Sequence, residues 1–142
     1  MPSSPGMQTL DAVRNYLIAQ GVGQGDSKVD WPIFVGVMQD GAPGVADRAI
    51  CLYETPGMPA DPAWKITYPS MQVMLRGKPD EYTGLRNKAQ EVFNALHGAD
   101  EVLGTAFVYF YCKQSAPIQM GQDERRRMSM AWNFRSERNT PE

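Results

Sequence analysis

The stretch GQDERRRMSMAWNFRSER, residues 121–138, sets three adjacent arginines after an acidic pair and then alternates apolar with polar residues. A period of two is the pattern of a β-strand with one buried face. The buried face receives four large apolar residues: Met128, Met130, Trp132 and Phe134. This pattern predicts that the arginine cluster lies at the entrance of the strand. It also predicts that Arg127 and Arg135 lie on the solvent face of the strand.

The arginine cluster follows a predicted turn formed by Gly121, Gln122 and Asp123. Asp123 and Glu124 partly neutralise it. The cluster fits three interpretations: a solvated turn, an RNA-binding patch and a protein interface. RNA binding is disfavoured because no aromatic stacking residues are interleaved with the basic ones. The chain also carries 14 basic and 16 acidic residues, a net charge of −2. That balance gives no global attraction for phosphate backbones, so the solvated turn and the protein interface remain.

Two amphipathic helices are predicted on either side of the first strands. Residues 7–23 carry apolar side chains at helical spacing and end in two glycines. The second helix is expected to begin with Asp80 as its N-cap and to end at Gly98, with His97 as a cationic C-terminal cap. Its apolar stripe has five members: Leu85, Ala89, Val92, Phe93 and Leu96.

Four further segments have strand character. Residues 31–37 and 48–54 predict a hairpin or a pair of neighbouring strands, since the connection between them is rich in turn formers. Residues 71–76 alternate as a half-buried strand. Residues 104–114 are apolar on both faces and predict a central strand, with helices over one face and a long loop or another subunit over the other.

Residues 55–70 hold four prolines, which deny the backbone donors that a helix or a central strand needs. We expect a long exposed loop here. Loops of this length in compact domains usually bind something or become ordered against a partner. Trp64 and Tyr68 lie within it. They either contact that partner or fold back as a lid on the core.

No pattern of a catalytic or cofactor site is present. The one histidine, His97, lacks a nucleophile or acid–base set around it, and no phosphate-binding or dinucleotide-binding glycine motif or paired metal-ligand motif occurs. Cys51 and Cys112 are expected to be reduced core thiols. The sequence therefore predicts a protein that is not an enzyme and has no cofactor and no metal. It also has no membrane span and no secretory signal, which predicts synthesis in the cytoplasm.

The expected fold class is α+β: a mostly antiparallel sheet of about five strands covered by two helices. The order along the chain is helix, three strands, helix, two strands. Residues 1–142 are expected to form a single domain with a short flexible arm at 1–6 and a tail at 137–142.

Four segments in this order carry a family resemblance: AICLYETPG, MQVMLRGK, a helix ending ALHG, and KQSAPIQMGQDERRRMSMAWNFR. The stretch from about 48 to 135 resembles the minor capsid or tail-terminator proteins of long-tailed bacteriophages. That family's pattern has R-G after the middle strand, Q-x-P after the fourth, and G-x-D…R…N-F entering the last. It falls here on Arg76 and Gly77, on 114–117, and on Gly121, Asp123, Arg127, Asn133 and Phe134. The ERRR turn is more basic than the family's.

The resemblance implies a structural virion protein of the tail or neck. Such a protein forms a ring, commonly a hexamer, on the last ring of the tail tube, stops tube growth and presents a surface to the head. The implied partners are further copies of itself, the tail tube protein and a head-completion or neck protein, with no membrane and no sequence-specific nucleic acid. The candidate interface residues are Trp64, Tyr68, Arg76, Gln114, Asp123, Arg125, Arg126, Arg127 and Arg135.

Two alternatives stay open. A head-completion or connector protein of the neck would share the ring habit and would bind portal-side proteins in preference to the tail tube. A small monomeric ligand-binding module would bind a soluble ligand and remain a single subunit in light scattering.

Overall fold

The final strand of the chain organises the structure, a computed structural model that describes residues 5–38, 44–59, 61, 63–64, 66–99 and 108–139. This part of the chain has two helices, α1 (Pro5–Ala19) and α2 (Thr83–Leu96). Its strands are β1 (Ile33–Val35), β2 (Ala49–Thr55), β3 (Ile66–Thr67), β4 (Ser70–Pro79), β5 (Val108–Tyr111), β6 (Ile118–Gln122) and β7 (Arg127–Asn139). The α+β class with a mostly antiparallel sheet is confirmed.

Strand β7 is the centre of the sheet. On one side it pairs antiparallel with β4, where Trp132 lies opposite Val73, and at its end with β3. On its other side it pairs with β6 and then with β5. The prediction that residues 104–114 form the central strand is therefore wrong: β7 is central, and β5, in the described part of that segment, pairs with it. Residues 104–107 lie outside the described residues. Apolar residues on both faces of this segment do not place it at the centre of the sheet, because Tyr109 on β5 is 42% exposed.

The first two strands are neighbours but not a hairpin. β1 runs parallel to β2, with Ile33 opposite Ile50. A parallel pair needs a connection of about a dozen residues or more that returns the chain to the starting end of the sheet. Residues 36–48, of which 39–43 lie outside the described residues, are long enough for that return, so the turn-rich composition between the strands belongs to a connection longer than a tight turn.

Both helices cover the same face of the sheet. The core lies between them and the predicted buried face of β7, where Met130, Trp132 and Phe134 are each at most 1% exposed. Trp132 also donates its indole N–H to the Ala89 carbonyl of α2 at 2.8 Å. The helix residues that pack there include Leu10, Val13, Leu17, Leu85, Ala89, Val92 and Leu96. The predicted helical stripes and the buried face of the last strand are thus confirmed.

The ends of α2 differ from expectation. The helix begins at Thr83 after Tyr82, and Asp80 is not its N-cap. Asp80 instead has a φ of 59° in the preceding turn, and its N–H donates to the Arg126 carbonyl at 3.0 Å. His97 occupies the C-cap position as predicted, but its ring Nδ1 accepts the Cys112 N–H at 3.1 Å. The ring therefore ties the end of the helix to the residue after β5.

Two strands were missed. β6, IQMGQ, has too little alternation to identify, and β3 is two residues long and lies inside the proline-rich stretch expected to stay outside the sheet. That expectation is wrong at Ile66 and Thr67, which pair with Asn139 and Arg138. The prolines fall outside these two positions, so the ladder bonds can form.

The bounds of the expected arm and tail also shift. α1 starts at Pro5, inside the segment 1–6, and β7 continues to Asn139, inside the segment 137–142. Cys51 and Cys112 are buried free thiols, as expected, and desolvation raises the pKa of both. Among the helices of the described ranges, none has the length and apolar character to cross a membrane.

Candidate assembly interface

The sheet face opposite the helices, here called the open face, carries side chains that no described helix covers. Cross-strand register places Tyr53, Gln72 and Asn133 in one row of this face, with Arg135 beside Tyr111 in the next row along β7. Tyr53, Gln72 and Tyr111 are half-buried, whereas Asn133 and Arg135 are exposed. The sequence predicts that a long loop or another subunit covers a sheet face without helices. It assigns that face to residues 104–114, whereas here the exposed surface is centred on β7.

The turn that enters β7 is organised by Asp123. Its carboxylate Oδ1 accepts the backbone N–H groups of Arg125 and Arg127 at 3.0 and 2.9 Å. Arg126 takes a φ of 61° in this turn, and its exposed guanidinium lies 3.3 Å from the Asp80 carboxylate. An aspartate at this position closes the turn because its short side chain reaches the backbone donors two and four residues on.

Arg127 lies on the open face, as alternation predicts, but it is not exposed to solvent, and that part of the prediction is wrong. Its side chain is 3% exposed. The guanidinium Nε donates to Asp123 Oδ2 at 2.8 Å, and a terminal nitrogen lies 3.2 Å from Asp47 Oδ1. The segment that contains Asp47 folds over this end of the open face, so a position that alternation assigns to solvent is enclosed.

These contacts shift the titration of Asp123. Its partial desolvation acts to raise the pKa, but hydrogen bonds from the backbone and side chain of Arg127 outweigh it, and the pKa lies below its ordinary value of 3.8. A second ion pair at Arg48 acts in the same way. A hydrogen bond from Arg48 lowers the pKa of Glu81, and Asp30 lies 3.2 Å from the same guanidinium.

Arg76 is also enclosed, with 6% exposure. It donates to the backbone carbonyls of Asp47 and Ala46 at 2.8 and 2.9 Å. An arginine that satisfies two carbonyls of a crossing segment holds that segment in place. Arg76 and Arg127 therefore fix the same segment, and neither presents its guanidinium to a partner in this conformation.

Gln114 fills a gap in the ladder of β7. β6 pairs with this strand at 128–131 and β5 at 135–138. Between these stretches, Gln114 Oε1 accepts the Asn133 N–H at 2.6 Å, and its Nε2 lies 3.4 Å from the Ala131 carbonyl. The side-chain amide thus replaces a missing strand residue.

The far end of the open face is different in character. Arg135 is exposed, and two adjoining pockets share it and Tyr111 as a common wall. The first pocket has a volume of about 190 Å³ and is lined by Pro56, Gly57, Met58, Tyr68, Ser70, Tyr111, Arg135 and Ser136. The second has a volume of about 150 Å³ and is lined by Tyr111, Lys113, Gln114, Asn133 and Arg135.

The sequence-predicted residues thus divide into groups. The first group, Tyr68, Gln114 and Arg135, lines the two pockets. The second group forms the turn at the other end of β7 and consists of Asp123, Arg125, Arg126 and Arg127. Beside Arg127, Arg76 holds the segment that contains Asp47. Trp64, 76% exposed, belongs to a turn in which Asp61 accepts its N–H at 3.2 Å.

Sequence reasoning missed several members of both groups. Asp47 and Asp80 neutralise arginines that are distant in sequence, and no local pattern links them. Tyr111 and Lys113 had a usable signal, because the polar and aromatic side of residues 104–114 had no predicted helix over it. Among the described residues, no group of histidine, cysteine and acidic side chains could hold a metal ion.

Comparison with known protein families gives a match that covers most of the chain. A family model described as "Bacteriophage tail terminator protein" matches residues 16–139. No curated protein matches the chain. The matched range runs from within α1 to the last residue of β7 and contains both groups of candidate residues.

Proposed function

The chain belongs to the bacteriophage tail terminator family, a family of structural proteins of the phage tail, and on that premise we propose that it forms a ring on the end of the tail tube. The ring, with six copies as the expected number, stops tube polymerisation and provides the surface on which the head is joined. The match over residues 16–139 is the observation that carries this proposal.

The distribution of charge and burial supports it. At one end of β7, Arg127 is paired within the chain, with Asp47 and Asp123. The end at Arg135 leaves a cation, two half-buried tyrosines and Met58 (60% exposed) facing solvent. Uncovered apolar and aromatic surface of this kind is typical of a protein that works in an assembly.

The proposed contact surface is accordingly narrower than the sequence indicated. Tyr68, Gln114 and Arg135 belong to it through the two pockets, and Trp64 remains a candidate because it is exposed. Arg125 and Arg126 remain candidates at the opposite end, where a second neighbour in a ring would approach. Asp123, Arg76 and Arg127 are assigned to holding the turn and the segment at 46–47.

Electron microscopy of tails assembled without this chain tests the proposal. A terminator sets where the tube stops, so its removal should give tubes of variable and extended length, and restoring the wild-type chain should return one length. Tails of normal length that carry no heads would instead identify a head-completion protein of the neck.

The oligomeric state of the purified chain is a second test. Light scattering after size-exclusion chromatography should give the mass of a closed ring, either for the chain alone or after addition of tail tube protein. A single subunit under both conditions, with tube growth unaffected, would favour the monomeric binding module.

A further inference from the structure

The two pockets beside Arg135 have the dimensions of side-chain sites. Their volumes are about 190 and 150 Å³, below the roughly 300–1,000 Å³ of a typical small-molecule site. They adjoin along the open face, with Arg135 and Tyr111 in the wall of both. Neighbouring side-chain pockets along a sheet fit an extended polypeptide better than a compact ligand.

The charged side chains that line the two pockets are both positive. Arg135 and Lys113 line it and contact no carboxylate among the residues that the structure describes, and no aspartate or glutamate lines either pocket. The neighbouring acid on this face is Glu137, two residues along β7 and opposite Tyr109. Two uncompensated cations beside aromatic rings favour a carboxylate with an adjacent apolar group.

We propose that these pockets bind an extended acidic segment of another protein. One carboxylate of the segment binds Arg135 and Lys113, and a neighbouring apolar or aromatic side chain enters the larger pocket between Met58, Tyr68 and Tyr111. The proposal rests on the proposed function only in taking the partner from the tail tube or the neck; the recognition chemistry is independent of that role.

A second copy of this chain fits the site poorly. Most described carboxylates are engaged within their own chain, as Asp47, Asp80 and Asp123 are with arginines. Of the described exposed carboxylates without a partner in their own chain, Glu137 lies beside the site on β7, Asp11 belongs to helix α1, and Glu54 is paired within β2 on the face of Met71, so none of these three offers a free extended segment. Glu124 is followed directly by three arginines, which would be repelled by the two cations of the site.

NMR titration of the ¹⁵N-labelled full chain tests the proposal directly. The probe is the peptide acetyl-Gly-Glu-Phe-Glu-Gly-amide, and the matched control has lysine in place of both glutamates. The acidic peptide should shift amides at 111–114 and 133–136 in a saturable way, and added salt should weaken its binding. Arg135→Gln should weaken binding by about tenfold, because a charge-assisted hydrogen bond is lost.

Three further variants separate recognition from general charge. Lys113→Gln should weaken binding less than Arg135→Gln, and Glu137→Gln should strengthen it by removing a like charge beside the peptide. Lys28→Gln, an exposed cation outside both pockets, should leave binding unchanged. Equal shifts with the lysine peptide, or unchanged affinity in Arg135→Gln, would overturn the proposal.

Self-association is the remaining outcome. If Arg135→Gln abolishes ring formation by the purified chain alone, the occupant is a second copy, and the assignment to another protein is wrong. A failed titration has no bearing on tail length in the absence of the chain, so failure of this site and failure of the terminator role are distinguishable.

Discussion

Arg127 and Arg135 lie on the same strand and the same face, about 26 Å apart along β7, yet their surroundings differ completely. Arg127 is 3% exposed and meets two carboxylates. Arg135 is exposed and lines two pockets in which no described lining residue carries a carboxylate. Alternation assigns a side chain to a face, but the segment that covers that face decides whether an arginine maintains the fold or is left for a partner.

The largest expected effect concerns the core that fixes β7 between its two ends. Trp132→Ala removes a side chain that is 1% exposed and packs against Phe93 and the Ala89 carbonyl. It should cost about 3–5 kcal/mol of unfolding free energy. Chemical denaturation measures this, with Trp64→Ala as the matched control because Trp64 is 76% exposed. Similar losses in the two variants would contradict the assigned core.

The next effect compares the two arginines themselves. Arg127→Ser removes charge-assisted hydrogen bonds to Asp123 and Asp47 and should cost about 2 kcal/mol, since both carboxylates remain partly exposed to water. Arg135→Ser should change stability by less than about 0.5 kcal/mol. Thermal melts of the two variants test this difference. Equal melting temperatures would contradict the claim that Arg127 stabilises the fold and Arg135 does not. The triple replacement of 125–127 by serine should therefore destabilise the chain, contrary to what exposed arginines would give.

A smaller effect is expected where a side chain completes the ladder of β7. Gln114→Ala loses the bond to the Asn133 N–H and should cost about 1 kcal/mol. Hydrogen exchange at the Asn133 amide is the specific readout, because this N–H would lose its protein acceptor. Gln119→Ala, on an exposed strand, is the control. Unchanged protection of Asn133 would mean that the amide of Gln114 is dispensable.

The smallest expected effect is a change in how the stability of the chain depends on pH. The pKa values of Asp123 and Glu81 are lowered in the folded chain from ordinary values of 3.8 and 4.5. Their contribution to stability is therefore present above those ordinary values and is lost as pH falls through the lower folded values. Melting temperatures between about pH 6 and about pH 3 should fall less steeply in Asp123→Asn than in the wild type. Arg135→Gln should keep the wild-type slope, and a flatter slope there would contradict its lack of a carboxylate partner.

Local periodicity predicted most of the fold. Alternation alone predicts Met130, Trp132 and Phe134 as core residues, and helical spacing predicts the α2 stripe; the structure confirms both. The crossover between β1 and β2 and the central place of β7 were not predictable in this way, since both depend on which strands pair. β3 was hidden by prolines that flank the two residues that form it.

The candidate site was predictable only in part. Tyr68, Gln114 and Arg135 come from three separate segments and line two pockets that share Arg135, but no local pattern separates them from Arg127. The difference depends on Asp47, eighty residues before Arg127, whose segment closes one end of the open face and not the other. Such long-range cover is outside the reach of local patterns.

Tail length in the presence of Arg135→Glu tests the central claim most directly. Phage that lack the wild-type chain would be supplied with this variant and, as a matched control, with Lys28→Glu, both first confirmed to melt like the wild type. Arg135→Glu should give a folded protein and tails of uncontrolled length in electron micrographs, whereas the control should give one normal length. Normal tails with Arg135→Glu would contradict the assignment of this end of the open face to a partner in the tail.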